Sequence, residues 1–281
     1  AKKTDGIKTK TIRGIANFID ANYSGTTKSK DCILILCEGL SALSGVVSGL
    51  SSDDRNTIGI YPLKGKLLNV RGENVTKIYA NKEITDLKKI LGLENGKSYD
   101  NIEEVHKSLR YGKIMILCDQ DTDGSHIKGL CINLFHSEWA SLIKIPGFLS
   151  FMNTPILRAK KGSQSFVFYN EGEYNQWKEE TPNAHTFQIK YFKGLGTSTS
   201  KEFKEYFANK KIVDFQYSTS SDDIIDKIFN KKRTDDRKQW LGQYDKNSYL
   251  DTSQQNIPYE DFINKELIHF STYDCARSIP N

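Results

Sequence analysis

An α/β chain built on a parallel sheet is what this sequence predicts, from three observations. Residues 114–118 (IMILC) form an unbroken apolar run, short, rich in branched side chains and closed by polar residues, as suits a strand buried on both faces. Residues 32–37 (CILILC) meet the same criteria, and residues 58–63 (IGIYPL) read as a further strand. Between and after these runs lie stretches with apolar residues at helical spacing.

Residues 1–31 are Lys-rich and polar, the composition of a basic connector. Lys2, Lys3, Lys8, Lys10 and Arg13 could touch phosphates, and a solvated linker is the preferred reading. Glu38 ends the 32–37 strand and Gly39 follows. Residues 41–50 read as a helix with small residues on one side. After the 58–63 strand comes Lys64-Gly65-Lys66, where Gly65 lets the backbone approach a partner and the flanking lysines suit phosphate. Residues 78–91 and 102–109 show helical spacing, with an exposed loop over 94–101.

The central stretch is residues 113–124, KIMILCDQDTDG. Its strand is followed by Asp119, Asp121 and Asp123 at alternate positions, and a helix opens near Gly124-Ser125 with Ile127, Leu130, Leu134 and Leu142 at helical spacing. His126 and Lys128 lie in its first turns, where a helix N-terminus favours anions; His126 reads equally as a phosphate contact or a structural histidine. Residues 148–159 and 166–169 have strand character around a 162–163 turn, residues 171–181 form a helix around Trp177, and residues 187–192 form another strand. KGLGTSTS (193–200) is a sharp strand-to-helix turn in which Thr199 or Ser200 caps the next helix and Lys193 could reach a phosphate. Residues 221–243 read as one long charged helix, 245–257 as a polar loop and 259–270 as a helix.

The 281 residues suffice for one large or two ordinary domains, and 37% hydrophobic against 27% charged content gives a real core. A net charge of +5, from 40 basic and 35 acidic residues, permits nucleic-acid binding without requiring it. The five cysteines contain no C-x-x-C pair, and three lie in or beside strands, which favours reduced core thiols over disulfides or zinc ligands. No apolar run approaches a membrane span and no signal peptide is visible. The first residue is Ala and the last motif breaks off, the pattern of a fragment.

Ligands of open α/β sheets bind beyond the carboxyl ends of strands, where the three aspartates fall. Acids so close repel one another unless a cation or protonation relieves them, and a hard divalent cation, Mg²⁺ best of all, is the natural partner. A solvated acidic turn is the plainer alternative. An EF-hand loop shares the D-x-D-x-D-G opening but needs Glu at its twelfth position; Leu130 stands there, and a strand enters the loop, which excludes it. Glu38, at a second strand end, is a candidate third ligand or general acid/base.

C-E-G-x-S-A (37–42), P-L-K-G-K-L-L-N-V-R (62–71), D-Q-D-T-D-G-S-H-I-K-G (119–129) and Y-F-K-G-L-G-T-S-T-S (191–200), together with K-K-R-T-D-D-R-K-Q-W-L (231–241) and F-I-N-K-E-L-I-H-F-S (262–271), resemble the TOPRIM region of type IIA DNA topoisomerases, in their eukaryotic and large-DNA-virus branch. The resemblance runs from about residue 12 to the end. It implies a Rossmann-like TOPRIM domain, with its parallel sheet flanked by helices, an α+β extension and a C-terminal helical segment. The divisions expected are a connector (1–31), a Mg²⁺-binding core (32–147), an extension (148–244) and a connector toward a winged-helix domain (245–281). It implies Mg²⁺, replaceable by Mn²⁺, double-stranded DNA as partner, and a homodimer formed with the remaining domains of the enzyme. An intracellular setting follows, the nucleus or, for a viral enzyme, the host cytoplasm.

By the same resemblance Glu38, Asp119 and Asp121 are the metal-site acids. Transesterification at a phosphodiester needs its attacking and leaving oxygens stabilised, which two divalent ions about 3.5–4 Å apart can do. Glu38 would share one ion with Asp119, Asp119 and Asp121 would hold the second, and Asp123 would act from the outer shell. Glu38 could also assist proton transfer to the ribose oxygen. Lys64, Lys66, His126, Lys128 and Lys193 become candidate DNA-backbone contacts. Two departures stand out: the family usually has Asp where Leu40 lies and Arg where Lys64 lies, which removes an acid and a bidentate fork and leans toward a viral enzyme. The family's nucleophilic tyrosine lies beyond a motif like Arg277-Ser278-Ile279-Pro280, none of the 14 tyrosines here matches it, and no ATP-binding loop is visible, so strand passage is not expected of this chain alone. A primase- or nuclease-type TOPRIM enzyme and a DNA-binding module whose carboxylates only organise a loop are the alternatives.

Overall fold

In the computed structural model, which describes residues 8–278, a short 3₁₀ turn at Ser29–Asp31 leads into β1 (Ile33–Glu38) and α1 (Gly39–Gly49), then α2 (Asp54–Thr57) and β2 (Ile58–Leu63). Three helices follow, α3 (Val75–Ala80), α4 (Lys82–Leu91) and α5 (Ile102–Ser108), before β3 (Lys113–Leu117), α6 (Thr122–Glu138) and α7 (Ala140–Lys144). The chain continues through β4 (Leu149–Asn153), β5 (Leu157–Lys161), β6 (Gln164–Phe168), α8 (Glu171–Glu180), β7 (Gln188–Tyr191), α9 (Ser200–Ala208) and β8 (Lys211–Gln216). It ends with α10 (Ser221–Phe229), α11 (Thr234–Leu241), β9 (Asn256–Pro258), α12 (Tyr259–Phe262), a π-helical turn at Ile263–Leu267 and α13 (Ile268–Ser278). Lys2, Lys3 and the terminal Ile279, Pro280 and Asn281 lie outside the described residues.

The main sheet has the order β2-β1-β3-β4-β8-β9. β1 pairs in parallel with β2 and β3, and β3 with β4; β8 runs antiparallel to β4, and β9 parallel to β8. Along β1, Leu34 and Leu36 enter one core cluster, whereas Ile35 and Cys37 enter another on the opposite face. Ile114 and Ile116 of β3 divide from Met115 and Leu117 in the same way. Helices covering both faces thus account for the continuous apolar runs. The α6 side is the larger core. The other side is closed by α1 against α9, and there the small residues of α1 matter: a Cβ on Gly45 would come within 2.2 Å of the Phe203 ring. A second, three-stranded antiparallel sheet, β6-β5-β7, carries α8.

The expected α/β architecture is observed, and several elements differ in detail. The 78–91 segment is two helices, because Asn81 turns extended (φ −73°, ψ 118°) and its side chain caps α4 at Ile84 N–H. The 148–159 segment divides at Thr154-Pro155 into strands of different sheets; proline has no N–H to continue a ladder. The 221–243 helix divides at Asn230, which is extended (φ −78°, ψ 115°). Leu142 belongs to α7, beyond a break at Trp139. In the 94–101 loop Tyr99 is fully buried, its hydroxyl accepting from Glu94 N–H. The lead-in, expected as a solvated linker, is tied down from Lys8 onward: Ile19 bridges to Ile60, and the fully buried Arg110 donates to the carbonyls of Thr9, Lys10 and Ile90 and to Asp20.

Candidate metal centre

The register of the sheet assembles the acids. Cys37 lies opposite Leu117 as the last pair between β1 and β3, so Glu38 emerges one residue past that pair and Asp119 two residues past it. Both reach the carboxyl edge of the sheet, where open α/β folds bind ligands. Asp121 is the N-cap of α6, its Oδ1 accepting from Gly124 N–H at 2.7 Å. Asp123, in the first turn, pairs with Lys66 Nζ at 2.7 Å. The K-G-L-G turn closes on the site from the extension: Leu195 N–H donates to Asp119 Oδ1 at 2.7 Å. Gly194 is required there, since its φ is +121° and a Cβ would stand 2.9 Å from Asp119 Oδ2.

These groups make a cluster of like charge that Lys66 compensates only in part. Burial, and then the charges of Asp119, Asp121 and Asp123, raise the Glu38 carboxyl above the ordinary Glu range, against the opposing pull of Lys66. Asp123 is lowered, chiefly by its hydrogen bond from Lys66. Among the described residues no three His, Cys, Asp or Glu side chains form a ready metal cage. The donor chemistry nevertheless fits a hard cation. Asp119 and Asp121 each use one carboxylate oxygen in a backbone hydrogen bond and keep the other, and the mutual repulsion that adds to burial in raising Glu38 is what a divalent ion relieves.

The five candidate phosphate contacts separate into two groups. Lys64, Lys66 and Lys193 are exposed. Lys128 is 4% exposed; its Nζ lies 2.8 Å from Glu266 Oε2 and 4.5 Å from the Phe151 ring centroid, facing the interior rather than a phosphate. His126 stacks on Phe270 at 4.0 Å with Nδ1 buried and without a hydrogen-bond partner, and burial, reinforced by Lys66, pushes its pKa down to about 4. The ring is therefore neutral at pH 7. Leu40 is 57% exposed in the first turn of α1, two residues from Glu38. A cleft of about 780 Å³ opens beside Asp119 and Asp121, lined also by Tyr169, Tyr174, Tyr191, Tyr249, Lys193 and His269. Two features were not assigned from sequence: the Leu195 N–H and Glu266. Both lie inside motifs quoted above, but their contacts span 76 and 141 residues of chain.

Comparison with known proteins identifies the relatives of this chain. The Toprim domain family matches residues 33–148, and the family described as the C-terminal associated domain of TOPRIM matches residues 152–275. DNA topoisomerase 2 of Plasmodium falciparum (isolate K1 / Thailand) is 49% identical over 274 residues, covering 96% of this chain and 19% of that protein. DNA topoisomerase 2 of Saccharomyces cerevisiae is 46% identical over 286 residues, covering all of this chain and 20% of that protein. The chain thus spans about a fifth of the length of these relatives. The crystal structure of the Plasmodium falciparum topoisomerase II DNA-binding, cleavage and re-ligation domain superposes with a TM-score of 0.91 at 48% identity, over 97% of this chain and 37% of that one. With a Toprim domain, its associated C-terminal domain and near-complete alignment to these proteins, the chain belongs to the TOPRIM family, in the branch formed by the DNA topoisomerase 2 proteins.

Proposed function

We propose that this chain supplies the metal-binding acids of a DNA cleavage–religation centre in an ATP-dependent type II topoisomerase. The observation that supports it is the gathering of Glu38, Asp119, Asp121 and Asp123 at one sheet edge, with Glu38 raised by burial and then by the charges of the other three. Glu38, Asp119 and Asp121 would hold Mg²⁺, with Asp123 beside them; when bound, the ions supply charge stabilisation to the attacking and leaving oxygens of the phosphodiester. Glu38 is suited to hold a proton for the ribose oxygen during religation, since its carboxyl binds one more readily than an isolated Glu. The exposed Lys64, Lys66 and Lys193 would contact the phosphate backbone of duplex DNA, which positions the helix without reading sequence. The nucleophilic tyrosine, the ATP site and the homodimer contacts would come from parts of the enzyme outside residues 1–281, working in the nucleus or, for a viral enzyme, the host cytoplasm.

The test is Asp119→Ala and Glu38→Ala in the complete enzyme. Each abolishes Mg²⁺-dependent cleavage and leaves DNA binding nearly intact; cleavage surviving in both rejects the proposal. A second reading has one observation in its favour: Asp119, Asp121 and Asp123 are each already engaged by an N–H or a lysine, as they would be if they only organised a DNA-binding loop. Calorimetric titration with Mg²⁺ or Mn²⁺ separates the two, because only the metal reading gives carboxylate-dependent uptake.

A further inference from the structure

A segment distant in sequence grips the turn that carries the acids. Glu266 lies on the π-helical turn Ile263–Leu267, a form of helix that occurs mostly as single turns and often at functional sites. Its Oε2 accepts from the Ser125 hydroxyl at 2.9 Å and from the Lys128 ammonium at 2.8 Å. Ser125 N–H donates in turn to the Asp121 carbonyl at 3.1 Å, beside the Gly124 N–H that holds the Asp121 side chain. Glu266 is thus joined to Asp121 through one intervening residue. The ammonium that neutralises it is fixed, with the Lys128 side chain 5% exposed over the rings of Phe151 and Phe262. Four residues on, Phe270 stacks on His126 and lies 4.9 Å beneath Lys66 Nζ, the partner of Asp123. One stretch of the C-terminal helical segment therefore touches the neighbours of two of the acids.

We propose that Glu266 is a positioning residue for divalent-cation binding. Through Ser125 and Lys128 it fixes the start of α6, so that the placement of the π-helical turn sets the geometry of Asp121. The inference rests on the reading of the acids as metal ligands.

The experiment compares the chain with its Glu266→Ala, Glu266→Gln, Lys128→Met and Glu266→Ala/Lys128→Met forms. It reads Mn²⁺ affinity by calorimetry, amide exchange at Gly124 and Ser125 without metal, and melting temperature. Glu266→Ala weakens Mn²⁺ binding about 10-fold, as loss of an outer partner of a metal ligand does, and speeds exchange at both amides. Glu266→Gln keeps an acceptor for Ser125 and retains most of the affinity. The double variant removes the stranded ammonium and recovers melting temperature without recovering affinity. Unchanged affinity in Glu266→Ala with both amides still protected overturns the proposal. So does recovery of affinity together with melting temperature in the double variant, which would leave the buried charge as the whole effect. A parent chain whose Mn²⁺ uptake does not depend on Asp121 overturns the metal reading itself, and this inference with it.

Discussion

The two ends of α6 handle charge in opposite ways. Toward its C-terminus, Arg71 donates to Asn133 at 2.9 Å, to Asp226 at 3.2 Å and to His136 Nδ1, while His136 Nε2 donates to Asp222 at 2.8 Å. Burial works to raise both aspartates, but bonds from Arg233 and Asn230 with the charge of Arg71 leave Asp226 lowered, and bonds from Tyr217 and His136 leave Asp222 lowered. Toward its N-terminus four acids gather, Lys66 is paired with Asp123, and burial together with the other acids moves Glu38 the other way, upward. A network that closes on itself serves stability. A cluster of like charge works against stability, and the metal proposed above is the ligand that would complete its balance.

The strongest way to break this contrast is Arg71→Ala. It removes the Arg71 bonds to Asp226, Asn133 and His136, although Asp226 keeps Arg233 and Asn230, Asn133 keeps Asn69 and His136 keeps Asp222. The loss should be about 2–3 kcal/mol, below the figure for a fully buried pair because of those remaining partners and because Asp226 is 31% exposed. Urea unfolding measures it, and a loss under about 0.5 kcal/mol, the scale of an ordinary surface change, would show that the network is not structural. The same network has a pH signature. Burial first, and then Arg71, lower the His136 pKa against the hydrogen bond to Asp222. Since the folded value lies below the unfolded value of about 6.5, the contribution is complete above that pH and declines as pH falls through it. Arg71→Ala should flatten that decline in a series of melts from pH 7 to pH 4.

Gly194→Ala sharpens the acid side of the comparison. It forces a side chain into a positive-φ position and against the Asp119 carboxylate, and should lower stability by about 1–3 kcal/mol. An unchanged melt would mean that the K-G-L-G turn does not hold Asp119. Asp123→Asn has the smallest expected effect. Its pair with Lys66 joins side chains 41% and 59% exposed, so stability should stay within about 0.5 kcal/mol. The Glu38 pKa should nevertheless fall, as one of the charges raising it is removed, and a carboxyl titration by NMR that finds it unmoved would contradict the clustering.

The buried strands were legible because helices cover both faces, which turns a strand into a run of apolar letters, as in residues 32–37 and 114–118. β8 and β9 left no such trace. β8 keeps only Val213 and Phe215 buried, and β9 is three residues within a polar stretch, so their strand form depends on the neighbour they pair with. The acids were legible because their spacing follows from strand ends. Lys128 was not, because its burial is decided by Glu266, far along the chain. The breaks at Asn81 and Asn230 interrupt apolar periodicity that carries across them, so one helix was expected where two form.

The order of the main sheet bears on where this chain can be cut. The Toprim match ends at residue 148, yet β4 begins at Leu149, and β8 and β9 complete the sheet from far downstream. Excising the matched segment alone would strip β3 of its outer neighbour and lay bare a row of unanswered amides and carbonyls flanked by Ile114, Met115 and Ile116. Such a fragment would be prone to join others of its kind edge to edge, so any minimal version should carry residues through Pro258.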